Sequence, residues 1–168
     1  MLYINDKKYR KIVRCITKSD AFKETYNIEH HGISRMEHLT KVSYYSYNIA
    51  KKMHLDYESV ARGALLHDFY LDGDERNAKR KFLDTFIHPK KALVTSKKYF
   101  DINEMEENII ISHMFPLYFS LPKYKESILV NLVDKVIGGC EMFREYKYKV
   151  RYKFTYTVLL FMLFIFCE

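Results

Sequence analysis

Apolar residues recur at steps of three and four along most of this chain, and the links between the periodic segments are short. Such periodicity marks amphipathic helices with one face turned inward. Only five glycines and three prolines punctuate 168 residues, too few for a turn-rich β-sandwich. The expected architecture is all-α, a helical bundle.

The helix boundaries can be read from capping chemistry. Ser34 followed by Glu37 has the form of a capping box, and the helix it starts carries Leu39, Val42, Tyr45, Ile49 and Met53 on its apolar stripe. Asp56 caps DYESVARGALLHD, whose stripe is Val60, Ala61, Ala64 and Leu65. Pro89 suits the first helical position of PKKALVTSKKYF, which would bury Ala92, Leu93 and Phe100. Asn103 with Glu106 repeats the cap for EMEENIIISHMF, where Met105, Ile109, Ile110 and His113 share a face and Pro116 is the stop. The segment KESILVNLVDKVIG is the last clear helix, with Gly138 and Gly139 as its terminator. Residues 1–29 alternate basic and apolar groups and read as a surface helix; the charged run 72–84, including KRK at 79–81, reads as a solvated loop or short helix.

The tail changes character. From Tyr146 to Val158 aromatic or Val positions alternate with Lys, Arg or Thr, which predicts a strand seeking a partner edge, with another subunit of an oligomer as one source. The apolar run VLLFMLFIFC follows, and ten residues fall short of the roughly 20 that a bilayer needs. A buried end segment is expected, with peripheral membrane contact by the tail as the alternative.

Composition narrows the setting. A formal charge of +7 favours anionic partners without choosing among them. Cys15, Cys140 and Cys167 are far apart and odd in number, which argues against a disulfide framework or a thiolate metal site and fits a reducing cytoplasm. The opening MLYINDKKYRKIV lacks the apolar core of a signal peptide, so a cytoplasmic location is expected. There is no G-x-S-x-G motif and no P-loop.

Six polar residues interrupt the stripes. His38 lies one turn before Val42; His67 and Asp68 extend the face of Ala64 and Leu65 by three residues; His113 continues the stripe of Ile109 and Ile110; Asp134 sits between Val133 and Val136; His88 precedes Pro89. Taken singly, each has an ordinary reading as a satisfied core histidine or a capping acid. Together, four imidazoles and two carboxylates in one core would be costly without a cation, and an N/O ligand set suits divalent Mn, Fe, Co, Ni or Zn.

The order H…HD…H…H…D resembles the HD-domain superfamily of metal-dependent phosphohydrolases, and in particular the small bacterial members with a two-metal site. The flanks that carry the likeness are R-x-x-H at Arg35 to His38, ARGALLHDF at 61–69, HPKKAL at 88–93, ISHMFPL at 111–117 and VDK at 133–135. It covers about residues 30–141 of a single domain spanning 1–168; beyond Glu141, residues 142–168 follow no family pattern. The resemblance implies one metal ion on His38, His67, Asp68 and Asp134, and a second on His88 and His113, with Asp68 bridging and so taking part in catalysis. Two such ions would activate water and clamp phosphoryl oxygens.

Around that set, Arg35 and Lys135 adjoin ligands and are candidates to hold substrate phosphate; ordinary ion pairs are the other reading. Asp72 and Asp74 are candidates to orient water or protonate a leaving oxygen, with Asp72 preferred; a Gly-containing loop would carry such acids anyway. The leading function is hydrolysis of a phosphate ester or anhydride in a phosphorylated small molecule or nucleotide. No stable nucleic-acid complex is expected. The same ligand set is similar to that of HD-fold di-iron oxygenases, and a non-catalytic nucleotide-binding module is the third reading.

Overall fold

Side-chain caps set where most helices begin. In the computed structural model the described residues are 4–30, 32–71 and 78–166, with the side chains of 29–30, 78–85 and 153–166 excepted. Asp6 accepts from the backbone N–H groups of Lys8 and Tyr9 and opens α1 (Lys7–Ile12). The single turn α2 (Arg14–Thr17) follows, then α3 (Asp20–Glu24), capped by Ser19, and a 3-10 turn at Thr25–Asn27. A two-residue antiparallel pair, β1 (Glu29–His30) with β2 (Ile33–Ser34), turns through Gly32 at φ 76°, a left-handed conformation that favours glycine. Ser34 Oγ then accepts from the Glu37 N–H at 3.2 Å and starts α4 (Arg35–Lys52). Asp56 caps α5 (Tyr57–Leu66). After α6 (Ala78–Tyr99), a reciprocal capping box between Asn103 and Glu106 opens α7 (Glu104–Ser112), and α8 (Lys125–Phe166) completes the chain. The fold is all-α apart from the short β pair.

The core forms where α4, α5, α7 and α8 meet, and α5 packs chiefly on α4 and α7. Val42, Ala50, Val60, Ala64, Ile109, Val130 and Val133 form one buried cluster. Leu39, Tyr47, Leu65, Leu66, Phe69 and Ile110 belong to a second. Burying a large apolar side chain of this kind contributes about 1.5–3 kcal/mol relative to exposure. Ala61, Ala64 and Gly63 keep α5 slim, so its neighbours approach closely. A Cβ at Gly63 would meet Ile109 atoms at 3.0–3.1 Å. Gly63→Val is therefore expected to destabilise the fold by about 2 kcal/mol, overpacking outweighing the gain from removing a helical glycine; urea denaturation reads this, and an unchanged midpoint would contradict the packing argument.

Several expectations are corrected. The described residues 4–29 hold three short helices and a 3-10 turn, not one surface helix, and Tyr9, Val13, Ile16 and Phe22 are buried. Their apolar positions repeat at the helical period while the basic ones take the outer side. On α4 the inward face is rotated from the expected stripe. Ser43, Ser46, Tyr47 and Ala50 are buried, whereas Tyr45, Ile49 and Met53 are exposed. Ser43 accepts from the Tyr9 hydroxyl (2.8 Å) and donates to the Ala61 carbonyl (2.6 Å), so a polar residue is satisfied between three helices. Pro89 lies inside α6 instead of starting it. The helix α7 ends at Ser112, before Pro116 acts. Gly138 and Gly139 do not stop α8, because each faces open space and helical geometry costs glycine only about 1 kcal/mol. The predicted tail strand over 146–158 is helical: α8 runs 42 residues, about 63 Å at 1.5 Å per residue. Of the run 72–84, residues 72–77 lie outside the described residues, and α6 begins at Ala78. No helix among the described residues is long and apolar enough to cross a membrane.

Candidate metal centre

Two helix ends and three helix interiors deliver the six polar residues to one place. His67 follows α5 and His113 follows α7 as their C-cap residues. Carbonyls in the last turn of a helix lack intrahelical partners. Each of these histidines turns its ring back and donates its Nδ1–H to such a carbonyl, Ala64 and Ile110 respectively, both at 2.7 Å. The bond closes the helix end and keeps a proton on Nδ1, so Nε2 is the nitrogen turned to the cluster. His38 reaches the same outcome from α4 with a different acceptor: its Nδ1 lies 2.8 Å from Glu141 Oε2. His88 comes from α6, Asp68 from the turn after α5, and Asp134 from α8.

All four imidazoles present Nε2 to the cluster. His38 Nε2 lies 3.1 Å and His67 Nε2 3.3 Å from Asp134 Oδ1. His88 Nε2 and His113 Nε2 lie 3.3 and 3.4 Å from Asp68 Oδ1. Three triads have ligand atoms within 4.8 Å of one another: His38, His67 and Asp68; His67, His113 and Asp134; Asp68, His88 and His113. Asp68 belongs to two of them and so lies between the His38–His67 side and the His88–His113 side. His67 and His113 are also shared, which makes the two halves one continuous centre.

The donor set fits a divalent cation. His67 Nε2 and Asp68 Oδ1 are buried, and their 3.3–3.4 Å contacts lack hydrogen-bond geometry, a costly state that a cation would relieve. His88 Nε2 and His113 Nε2 face each other at 3.0 Å. Two imidazole lone pairs at that separation need a proton or a metal ion between them. Electrostatics agrees. Burial raises the pKa of Asp68, but the neighbouring His88, His113 and His67 outweigh it and hold the carboxyl well below its usual range. Asp134 is likewise lowered despite burial, by His67 and His38 first. Burial pulls His38 down, yet Asp134 and Glu141 together lift it to about 9. His113 is raised against its burial, mainly by Asp68.

The remaining candidates sit differently. Arg35 is buried, its guanidinium 3.8 Å from the Tyr70 ring centre and its Nη1 donating to the Tyr70 carbonyl at 2.7 Å. It braces the backbone just past Asp68. Lys135 donates to the Phe115 carbonyl and to Asn131, which itself donates to the carbonyls of Ser112, His113 and Phe115. It thus ties α8 to the end of α7. Asp72 and Asp74 lie outside the described residues. Sequence reasoning missed Glu141. The signal was available, because Glu141 lies seven residues after Asp134 and so two turns along the same helix face. A groove of about 640 Å³ between α4 and α8 is lined by Tyr45, Ile49, Leu132 and Val136 among others; it includes Lys41 and Glu141 but none of the six histidines and aspartates.

The chain matches no protein-family model, no curated protein and no solved structure. What stands on its own geometry is a helical protein with a buried His/Asp cluster able to hold metal, compatible with an HD domain.

Proposed function

We propose that this chain is an HD-type phosphohydrolase acting on a phosphorylated small molecule or nucleotide in the cytoplasm. The observation that carries the reading is the convergence of four Nε2 atoms and two carboxylates, from five successive helical segments, on one buried centre. His38, His67, Asp68 and Asp134 would hold one divalent ion and His88, His113 and Asp68 a second. Bound divalent ions supply a nucleophilic hydroxide near neutral pH and offset phosphoryl charge, which is why no serine or cysteine nucleophile is required. The protein's part is to hold the nitrogens in one tautomer, through Ala64, Ile110 and Glu141, and to keep both carboxylates ionised. The basic surface, at +7, favours approach of an anionic substrate.

The test is a screen of phosphomonoesters and nucleotides with Mn²⁺-loaded protein, under anaerobic conditions. Release of phosphate or nucleoside that stops on chelation is the expected result. Turnover that survives chelation overturns the reading, as does a strict need for Fe and O₂ (the oxygenase outcome), or tight nucleotide binding with no turnover (the module outcome).

A further inference from the structure

His38, His67 and His113 each have an acceptor on Nδ1: a backbone carbonyl for His67 and His113, a carboxylate for His38. Glu141 is 4% exposed, and its two oxygens are divided. Oε2 faces His38 Nδ1 at 2.8 Å, while Oε1 accepts from Lys41 Nζ at 3.1 Å. Lys41 in turn pairs with Glu37 at 2.8 Å. Glu37, Lys41 and His38 all lie on the first turns of α4, and Glu141 reaches them from α8.

We propose that Glu141 is a positioning residue for the metal centre: with Lys41 holding its other oxygen, it locks His38 in the tautomer that presents Nε2 as a ligand. This rests on the metal-centre reading. The chemistry is specific. A carboxylate can only accept here, so Nδ1 keeps its proton, and once His38 gives up its second proton it is the Nε2 lone pair that faces the cluster. The negative charge also makes the imidazole a stronger donor to a cation. A backbone carbonyl supplies the first effect at His67 and His113; the helix interior at His38 has no spare carbonyl, since those of the surrounding turns are in the α4 ladder. Glu141 takes that place from the neighbouring helix. Lys41, itself paired with Glu37, holds the carboxylate turned toward His38.

The experiment uses the full chain and Zn²⁺ alone. Isothermal titration gives Zn²⁺ affinity for the unaltered protein, Glu141→Gln and Glu141→Ala, and long-range ¹H–¹⁵N correlation reports which His38 nitrogen binds zinc. Loss of such an outer partner typically weakens metal affinity about 10–100-fold. Glu141→Ala is expected at the upper end, with mixed tautomers of the singly protonated His38 in the metal-free protein. Glu141→Gln keeps the shape and an accepting oxygen, so it should fall between and guards against a folding defect in the alanine variant. If both variants bind Zn²⁺ as tightly as the unaltered protein, with His38 still bound through Nε2, the Glu141 inference is wrong while the metal centre stands. If the unaltered protein itself binds no Zn²⁺ at the cluster, the metal-centre reading fails first and takes the inference with it. A variant whose melting temperature falls in chelator but whose zinc affinity is unchanged assigns Glu141 to helix packing only, and also overturns the proposal.

Discussion

Asp68→Ala is expected to lower metal content and to cut the proposed phosphate release by about 10²–10³-fold, the scale of losing one preorganised charge-stabilising group. Asp68 is the only carboxylate in two of the three ligand triads, so its removal strips an anionic donor from both sides of the centre at once. The effect on the metal-free fold is smaller. Asp68 is held well below its usual pKa by the histidines around it, so its contribution to stability is present above the ordinary carboxylate range and lost as pH falls below it. Metal analysis after gel filtration, with the melting temperature measured in chelator, separates the two. Full metal content and full turnover in Asp68→Ala would remove the carboxylate from the centre of the mechanism. Asp68→Asn is the finer probe: it keeps the shape and one neutral oxygen donor, so it should retain more metal than alanine while losing the negative charge that would offset a bound cation.

Much of this was legible because the ligands break a pattern that is otherwise regular. His67-Asp68 stands out only because Ala64, Leu65 and Leu66 establish an inward face that two polar residues then continue. The caps at Ser34, Asp56 and Asn103 were readable for a related reason: each is a local device, complete within three residues. What could not be read is what depends on neighbours. The α4 stripe was misassigned because Ser43 and Ser46 are polar by composition yet buried, and only the Tyr9 hydroxyl and the Ala61 carbonyl make Ser43 acceptable there. Tyr45 and Ile49 are apolar by composition yet exposed, since they border the groove beside α8. The tail failed for a different reason. Strict alternation over YKYKVRYKFTYTV is a sound strand signal in isolation, but the segment continues a helix already nucleated in the core, and extending an existing helix avoids the cost of starting a new element. Glu141 was passed over because it sits beyond the last motif residue, although its helical register with Asp134 already placed both on one face.

Metal affinity is expected to climb steeply with pH. In the metal-free protein burial depresses His38, but Asp134 and Glu141 more than reverse this and set its pKa at about 9. At pH 7 that imidazole therefore carries protons on both nitrogens, one shared with Glu141 and one with Asp134. A cation needs the Nε2 lone pair, so binding must expel the second proton. For one such group the apparent affinity rises about tenfold per pH unit below the pKa, about 50-fold between pH 7 and pH 9, then levels off. His113, also raised, acts in the same direction and can only steepen the slope. Asp68 and Asp134, both lowered, stay ionised throughout and add nothing to it. The stability of the metal-free protein should run the opposite way. His38 has a folded pKa above its ordinary 6.5, so its contribution is complete below about 6.5 and is lost as pH rises through about 9. Mn²⁺ titrations at pH 7, 8 and 9 in buffers of different ionisation enthalpy give both the affinity and the number of protons released. A flat affinity with no proton release would mean that His38 Nε2 does not exchange its proton for a cation. The two trends cross: loading the centre with metal should move the pH of greatest stability upward, because the bound cation takes over from the proton the role of neutralising Asp134 and Asp68.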